Sequence, residues 1–411
     1  MTNVAESLPT TARRAGARQA VPLLAASCMP VLGSVLITPV LPQISAHFAE
    51  IPGAAVLVPM IIAVPALMIA LFAPFAGQIA DRLARKSLLL GALVAYAVVG
   101  VAPALMDDLH GILATRLLLG ICEAAIMTVA TALIVDYFPD ERLRNRYLGL
   151  QAVATTLAAT VFIAVGGGLG AIGWHTPFWI YTAGLVIAVP VALLLWEPTR
   201  ERPAATPSSE LSAALPRIPW RDLAVPLLVT LVGGLTFYVL IVEISYLVVG
   251  TGVAAEDTGT IGAVAAGASL ATAAGGLTFS RVAGLTPSRL LPTAFGLQAV
   301  GMVVVWLAPG GLWAVVAGAV IASAGSGLLL PTLVVWVIAS RPFEQRGRVS
   351  GLWNSAFYLG QFLAPLVAAG MSTALGGLPV AIGAVGVLAF LVALALVVRA
   401  RAHAPVASAD V

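Results

Sequence analysis

Lysine occurs once in the 411 residues, at Lys86, and that scarcity removes one mechanism at the outset. A phosphate-cradling loop of the form Gly-x-x-x-x-Gly-Lys has no lysine to close it, which disfavours ATP-driven work. Charge of either sign is also sparse, at 9% of residues. A soluble globular domain carries roughly 25%, so an ordinary water-soluble fold is excluded. Cysteine is limited to Cys28 and Cys122, both within apolar stretches, which leaves no disulfide framework and no zinc spacing. The four histidines (His47, His110, His175 and His403) fall in loops, at a helix end or in the tail and form no ligand cluster. No metal or cofactor is therefore expected, and the chain does not read as an enzyme.

What is present is apolar. Hydrophobic residues make up 60% of the chain and mean hydropathy is +1.03. The 40 glycines and 27 prolines are tolerated in spanning helices more readily than in soluble ones. About 20 apolar residues cross a bilayer as a helix, and twelve such segments are legible: 20–44, 54–79, 87–106, 110–136, 147–171, 176–196, 223–249, 257–280, 289–307, 311–339, 349–371 and 377–399. The fold class is thus an all-α membrane protein with twelve transmembrane helices. Residues 1–19 hold acids, prolines and arginines without an apolar core and cleavage site, and read as a cytoplasmic tail rather than a signal peptide.

Numbering the loops alternately from the inside puts all but one of the 21 Lys and Arg residues on the cytoplasmic side. Glu50, Asp107, Asp108, Glu256 and Asp257 fall outside. The positive-inside rule then places both termini in the cytoplasm. It also explains the net charge of +3 without a nucleic-acid partner. Residues 197–222 carry five prolines and form a polar cytoplasmic linker. They separate an N-terminal six-helix half, 20–196, from a C-terminal half, 223–399, and 400–411 is a second cytoplasmic tail. The halves echo one another. Gly77-Gln-Ile-Ala-Asp-Arg82 aligns with Gly276-Leu-Thr-Phe-Ser-Arg281 at an offset of 199, and Arg144-Asn-Arg146-Tyr-Leu-Gly149 with Arg346-Gly-Arg348-Val-Ser-Gly351 at 202. Nearly equal offsets at equivalent places indicate a duplicated unit.

Six plus six spans with a central linker resemble the major facilitator superfamily, in particular its 12-span drug:proton antiporters. The loop Gly77-Gln-Ile-Ala-Asp-Arg-Leu-Ala-Arg-Lys86 is similar to that family's Gly-x-Leu-Ala-Asp-Arg-x-Gly-Arg-Lys signature, with Ala84 in place of a glycine. The resemblance covers residues 20–400. It implies a monomer with a central cavity lined by spans 1, 4, 7 and 10, and two halves that rock to open it to either side. It also implies a gate at the inner end of span 2, made by Gly77, Asp81, Arg82 and Arg85. Asp136, at the inner end of span 4, is a candidate partner for Arg82 or Arg85.

The one basic residue without a topological explanation is Arg116, inside span 4. Glu123 follows seven positions later, about two turns and roughly 10 Å along one face. Ionisable groups at that depth are costly and mark functional positions. Arg116 and Gly120 match the family's span-four pattern Arg-x-x-Gln-Gly, with Leu119 where the glutamine stands, and the resemblance implies a role in proton coupling. Glu123 is the candidate proton carrier. Glu243, at similar depth in span 7, is expected to form a pair with Arg116 that is broken or made during the cycle. Ser34 and Thr38 in span 1, Tyr238 in span 7, and Asn354, Tyr358 and Gln361 along one face of span 11 are candidate substrate contacts. Interhelical glue is the competing role for these six.

Secondary transport is the function left standing, with protons as coupling ion and a small molecule as cargo. A mostly apolar cavity suits lipophilic or drug-like molecules leaving the cell. Span 5 has glycines at Gly166–Gly170 but lacks the proline of the exporters' Gly-Pro-x-x-Gly-Gly motif. Two alternatives stand beside export: a proton symporter taking in a small organic or aromatic acid held by Arg116, and a transport-inactive sensor on the same fold. One lysine among 20 arginines, with abundant Ala and Gly, points to a GC-rich bacterial genome and its cytoplasmic (inner) membrane. A fluorescent protein fused after Arg401 is expected to mature and a phosphatase fused there to stay inactive, while a phosphatase fused after Asp108 is active. The reverse pattern overturns the orientation.

Overall fold

A computed structural model describes residues 15–82, 84–198, 220–282, 284–339 and 341–402, without the side chains of 76–82, 339, 343 and 344. The expected tails and linker fall largely outside these residues. Among the described residues, twelve helices are long and apolar enough to cross a membrane: Ala17–His47, Ala54–Phe75, Arg85–Leu105, Leu109–Tyr137, Glu141–Gly170, Thr176–Leu194, Trp220–Val249, Thr258–Val282, Pro287–Leu307, Leu312–Ile338, Gln345–Leu375 and Leu378–Ala402. They are spans 1 to 12 below. Each coincides with a segment expected from hydropathy, and the largest difference is at spans 5 and 11. These helices begin in the charged segments Glu141–Arg146 and Gln345–Arg348, because helix formers there continue the backbone bonds beyond the apolar stretch.

Helix starts are capped where the sequence supplies an acid. Asp108 accepts from the N–H groups of His110 and Gly111 at 3.3 and 2.7 Å, and Asp140 from Leu143 at 2.9 Å. Asp257 accepts from Thr260 at 3.0 Å, and these hydrogen bonds lower its carboxyl below the usual range. Each acid thereby satisfies orphan donors of a first turn. Span 1 is different. Pro22, Pro30, Pro39 and Pro42 deny it a continuous ladder, and it runs as Ala17–Ser27, Met29–Val35, a 3-10 turn Thr38–Val40, and Leu41–His47.

The core is apolar as in a soluble protein, and the surface is apolar as well. Val186, Leu193 and Trp313 are 70%, 77% and 80% exposed, a surface that suits lipid tails. Inside, small residues bring backbones together and hydroxyls bond their own helices, as with Ser27 on Leu23 and Thr230 on Pro226. Thr236, Gln298 and Ser326 join spans 7, 9 and 10 through bonds of 2.9 and 2.8 Å.

The first and last six spans meet along two seams. Toward the face that carries Asp107, Asp108, Glu256 and Asp257, span 5 lies directly on span 8. A Cβ on Gly167 would come within 2.9 Å of Gly262 Cα, so neither glycine can gain a side chain without parting the helices. Thr258 also donates to the Gly167 carbonyl at 2.7 Å, and Ser45 meets the Tyr246 hydroxyl at 2.8 Å. Toward the arginine-rich face, Ser355 of span 11 donates to the Ala70 carbonyl of span 2 at 2.7 Å. The spans 5–8 seam ends near mid-membrane, where Thr160 bonds Ser269 at 2.9 Å. In a background without Cys28 and Cys122, cysteines placed at 160 and 269 are expected to oxidise to a disulfide, detected as two lost thiols by intact mass. Adding Gly167→Val should slow that oxidation several-fold.

Candidate functional site

Between the two groups of six spans lies a cavity of about 460 Å³. Its lining reaches from mid-membrane, at Thr38, Ile163, Ile244 and Gln361, toward the arginine-rich face, at Leu148, Leu330 and Trp353. No Asp, Glu, Lys, Arg or His lines it among the described residues. On the span 11 side the wall is aromatic: Trp353 stacks on Phe357 at 5.5 Å between centroids, and Phe237 joins at 5.6 Å.

All six expected substrate contacts line this cavity. Thr38 Oγ1 is buried without a hydrogen-bond partner. Asn354 and Gln361 show no side-chain hydrogen bond among the described residues, so these two present free amides to the cavity. Ser34 instead bonds the Pro30 carbonyl at 2.9 Å, and Tyr358 reaches Met127 Sδ at 3.5 Å. Tyr238 crosses between the halves, its hydroxyl 3.0 Å from the Ser34 carbonyl and 2.8 Å from the Ile62 carbonyl.

The lining differs from spans 1, 4, 7 and 10 alone. Spans 5, 8 and 11 supply more of it than spans 4 and 10. Span 4 is drawn back onto span 2 at Gly120, where a Cβ would meet the Pro65 carbonyl at 2.6 Å, and span 10 is drawn back onto span 9 at Gly318 and Gly325. The sequence reading missed Gln151, Thr155 and Thr156 of span 5, and Ser269 and Thr272 of span 8. Their signal was present: 151, 155 and 159 repeat at four-residue spacing, one face of a helix.

Arg116 and Glu123 are both 0% exposed, and neither lines the cavity. Span 3 explains where the guanidinium goes. Its α-helix ends at Val101, and Pro103 has no N–H to give the Val99 carbonyl. Arg116 Nη2 donates to the carbonyls of Val99 at 3.4 Å and Gly100 at 3.1 Å, a cation at the negative end of a helix. Its Cζ also lies 5.3 Å from the Phe178 ring centroid and 5.1 Å from that of Tyr181.

The expected Arg116–Glu243 pair is not made in this conformation: among the described residues neither forms an ion pair. Carbonyls and rings within the first six spans hold the arginine through Nη2 and its ring faces, while Nη1 is buried without a hydrogen-bond partner. Glu243 is 5% exposed and outside the cavity lining. Glu123 lies within electrostatic reach of Arg116, Tyr96, Tyr181, Tyr238 and Tyr358. Neither carboxyl oxygen has a hydrogen-bond partner. The carboxyl is covered by span 1, where a Cβ on Gly33 would fall 1.7 Å from Oε1, so a side chain at 33 would have to displace the carboxyl.

Of the gate residues, Arg85 forms an ion pair with Asp136. Glu197 accepts from the backbone N–H groups of Arg85 and Lys86, tying this corner to the end of span 6. The side chains of Gly77, Asp81 and Arg82 lie outside the described residues.

The model of the Major Facilitator Superfamily matches residues 23–254 and 227–410. A class H tetracycline resistance protein of Pasteurella multocida is 29% identical over 182 residues, which is 44% of this chain and 45% of that protein. A gallate transporter of Pseudomonas putida is 32% identical over 154 residues, 35% of this chain and 32% of the relative. The matched stretches thus span less than half the length of these relatives. Among solved structures, a bacterial homologue of the human lysosomal transporter Spinster, inward-facing and occupied, superposes with a TM-score of 0.74 at 19% identity, covering 93% of this chain and 96% of the other.

Replacing Arg116 by leucine removes the cation from the Val99 and Gly100 carbonyls and from both rings. A loss of about 2–4 kcal/mol is expected, read as a lower unfolding temperature in detergent. Because Arg116 and Glu243 are apart, a double-mutant cycle with Glu243→Gln should give a coupling below about 0.5 kcal/mol. A coupling of several kcal/mol would restore the pair.

Proposed function

Because the chain belongs to the Major Facilitator Superfamily, we propose that it is a proton-coupled secondary transporter that exports small lipophilic or drug-like molecules by alternating access. The carrying observation is a drug-sized cavity between the halves that holds an aromatic wall and free amide and hydroxyl groups but no charge. A neutral or weakly polar guest loses little there, whereas a carboxylate would be desolvated without a cation to meet it. Similarity to tetracycline resistance proteins supports the same direction. Proton traffic is assigned to Glu123, with Arg116 as its electrostatic neighbour and Glu243 as a secondary site. The Arg85–Asp136 pair, with Gly77, Asp81 and Arg82, forms the gate at the arginine-rich face, which the charge pattern makes cytoplasmic. The protein works as a monomer in a bacterial inner membrane.

Uptake of a small aromatic acid draws support from the likeness to a gallate transporter. Its physical basis was Arg116 in the cavity, and that side chain is fully buried elsewhere. Export is the stronger reading.

In a host lacking its major efflux pumps, expression is expected to lower steady-state accumulation of a lipophilic dye at least threefold, and an uncoupler should abolish the difference. Glu123→Gln should remove most of the effect at unchanged membrane abundance. Raised accumulation of a labelled aromatic acid would favour import, and no change in either would favour a sensor. For the aromatic wall, Phe357→Ala should raise the dye KM several-fold with little change in maximal rate, measured in vesicles. Asp136→Asn should do the opposite, lowering the rate and sparing KM.

A further inference from the structure

The Glu123 carboxyl and the cavity lie on opposite sides of span 1. Gly33 presses on the carboxyl from one side, while its neighbour Ser34 lines the cavity on the other. The covering segment, Met29–Val35, is a seven-residue helix between two breaks, so it is not braced by long helices at its ends. Two tyrosines brace it. Tyr96 of span 3, in the same half, donates to the Met29 carbonyl at 2.6 Å. Tyr238 of span 7, from the other half, is 2% exposed, and its hydroxyl bridges the carbonyls of Ser34 in span 1 and Ile62 in span 2. The other tyrosine bond between the halves near Glu123, Tyr358 to Met127 Sδ at 3.5 Å, does not touch span 1.

We propose that Tyr238 is a positioning residue that latches span 1 over Glu123, and that withdrawal of span 7 when the halves rock uncovers the carboxyl to water. The proposal rests on the proton role of Glu123 given above and adds what controls access to it. Rocking carries Tyr238 away from Ser34 and Ile62, because donor and acceptors belong to different halves. The Gly33–Val35 end of the short helix is then released while Met29 stays bonded to Tyr96, and a proton can arrive or leave only when that end has moved off the carboxyl. The ionisable groups around Glu123 are Arg116 and Cys122 on its own span, Tyr96 on span 3, Tyr181 at the start of span 6, Tyr238 on span 7 and Tyr358 on span 11. Span 1 adds Cys28, bonded to the Leu24 carbonyl, and span 7 adds Glu243 and Tyr246 further along. None of them shares the two bonds that hold Ser34 and Ile62.

Two measurements separate the latch from the proton role. In protein with Cys28 and Cys122 replaced by serine, the labelling rate of Glu123→Cys by a small water-soluble methanethiosulfonate reports access directly. Tyr238→Phe keeps the ring and removes the hydroxyl, and it is expected to speed labelling at least tenfold. Equal rates with Tyr and Phe at 238 overturn the latch. In proteoliposomes under a pH gradient without substrate, Tyr238→Phe should leak protons several-fold faster than wild type, and Tyr238→Phe with Glu123→Gln should return to the wild-type rate. Faster labelling without a Glu123-dependent leak would retain the latch and reject Glu123 as the proton carrier. A melting temperature for Tyr238→Phe within a few degrees of wild type, measured alongside, shows that the access change is not loss of fold.

Discussion

The interaction on which this arrangement depends is the capture of Arg116 by the end of span 3. A guanidinium in the membrane interior must find acceptors, and water and lipid do not supply them there. Pro103 frees the Val99 carbonyl, the end of the helix leaves Gly100 within reach, and two aromatic rings close the remaining side. With the cation held in this way, the first six spans contain a fixed positive charge two turns from Glu123. That carboxyl can then occupy a dry site without a hydrogen bond of its own. Remove the carbonyl site and both charges become liabilities of the bundle.

The second half shows what the same position does without charge. At the 202-residue offset Arg116 falls on Gly318 and Val99 on Gly301. In span 10 a Cβ on Gly318 would lie 2.5 Å from the Gly301 carbonyl. The contact between spans 3 and 4 thus recurs between spans 9 and 10, filled by an arginine in one half and by close backbone approach in the other. Glu123 falls on Gly325, another close-packing glycine. One scaffold therefore serves twice, and only the first copy widens the joint enough to hold ionisable groups.

This asymmetry marks the limit of what the sequence could tell. Helix lengths, the twelve spans and the polar face of span 11 follow from hydropathy and spacing, and the structure carries them. The depth of Arg116, Glu123 and Glu243 is equally legible, since it is a count of residues from a span end. Azimuth is not. Span 4 is apolar all round, so no amphipathic pattern says which side faces the cavity, and equal depth invites a pairing with Glu243 that the bundle does not make. The carbonyls that hold Arg116 instead are backbone atoms, exposed by one proline in another span. Span 5 was read as glycine packing because its glycines are conspicuous, although the Gln151–Thr155 stripe about three turns earlier carries the lining.

Separation of the two sites constrains any coupling between them. On the proposed function, a guest in the cavity would meet Ser34 and Tyr238 but not Glu123, because Gly33 and the helix around it stand between. Substrate and proton therefore cannot compete for the same atoms, as they would if the carboxyl were part of the lining. On that reading they act on one another through span 1, whose prolines remove the ladder bonds that would make it rigid, and through Tyr238 and Tyr358, which line the cavity within electrostatic reach of Glu123. A chargeless cavity then imposes little demand on the chemistry of the cargo, since the guest need not carry a group that answers the proton. Breadth of substrate and strictness of proton coupling become compatible, with the first set by the aromatic wall and the second by the fit of a glycine against a carboxyl.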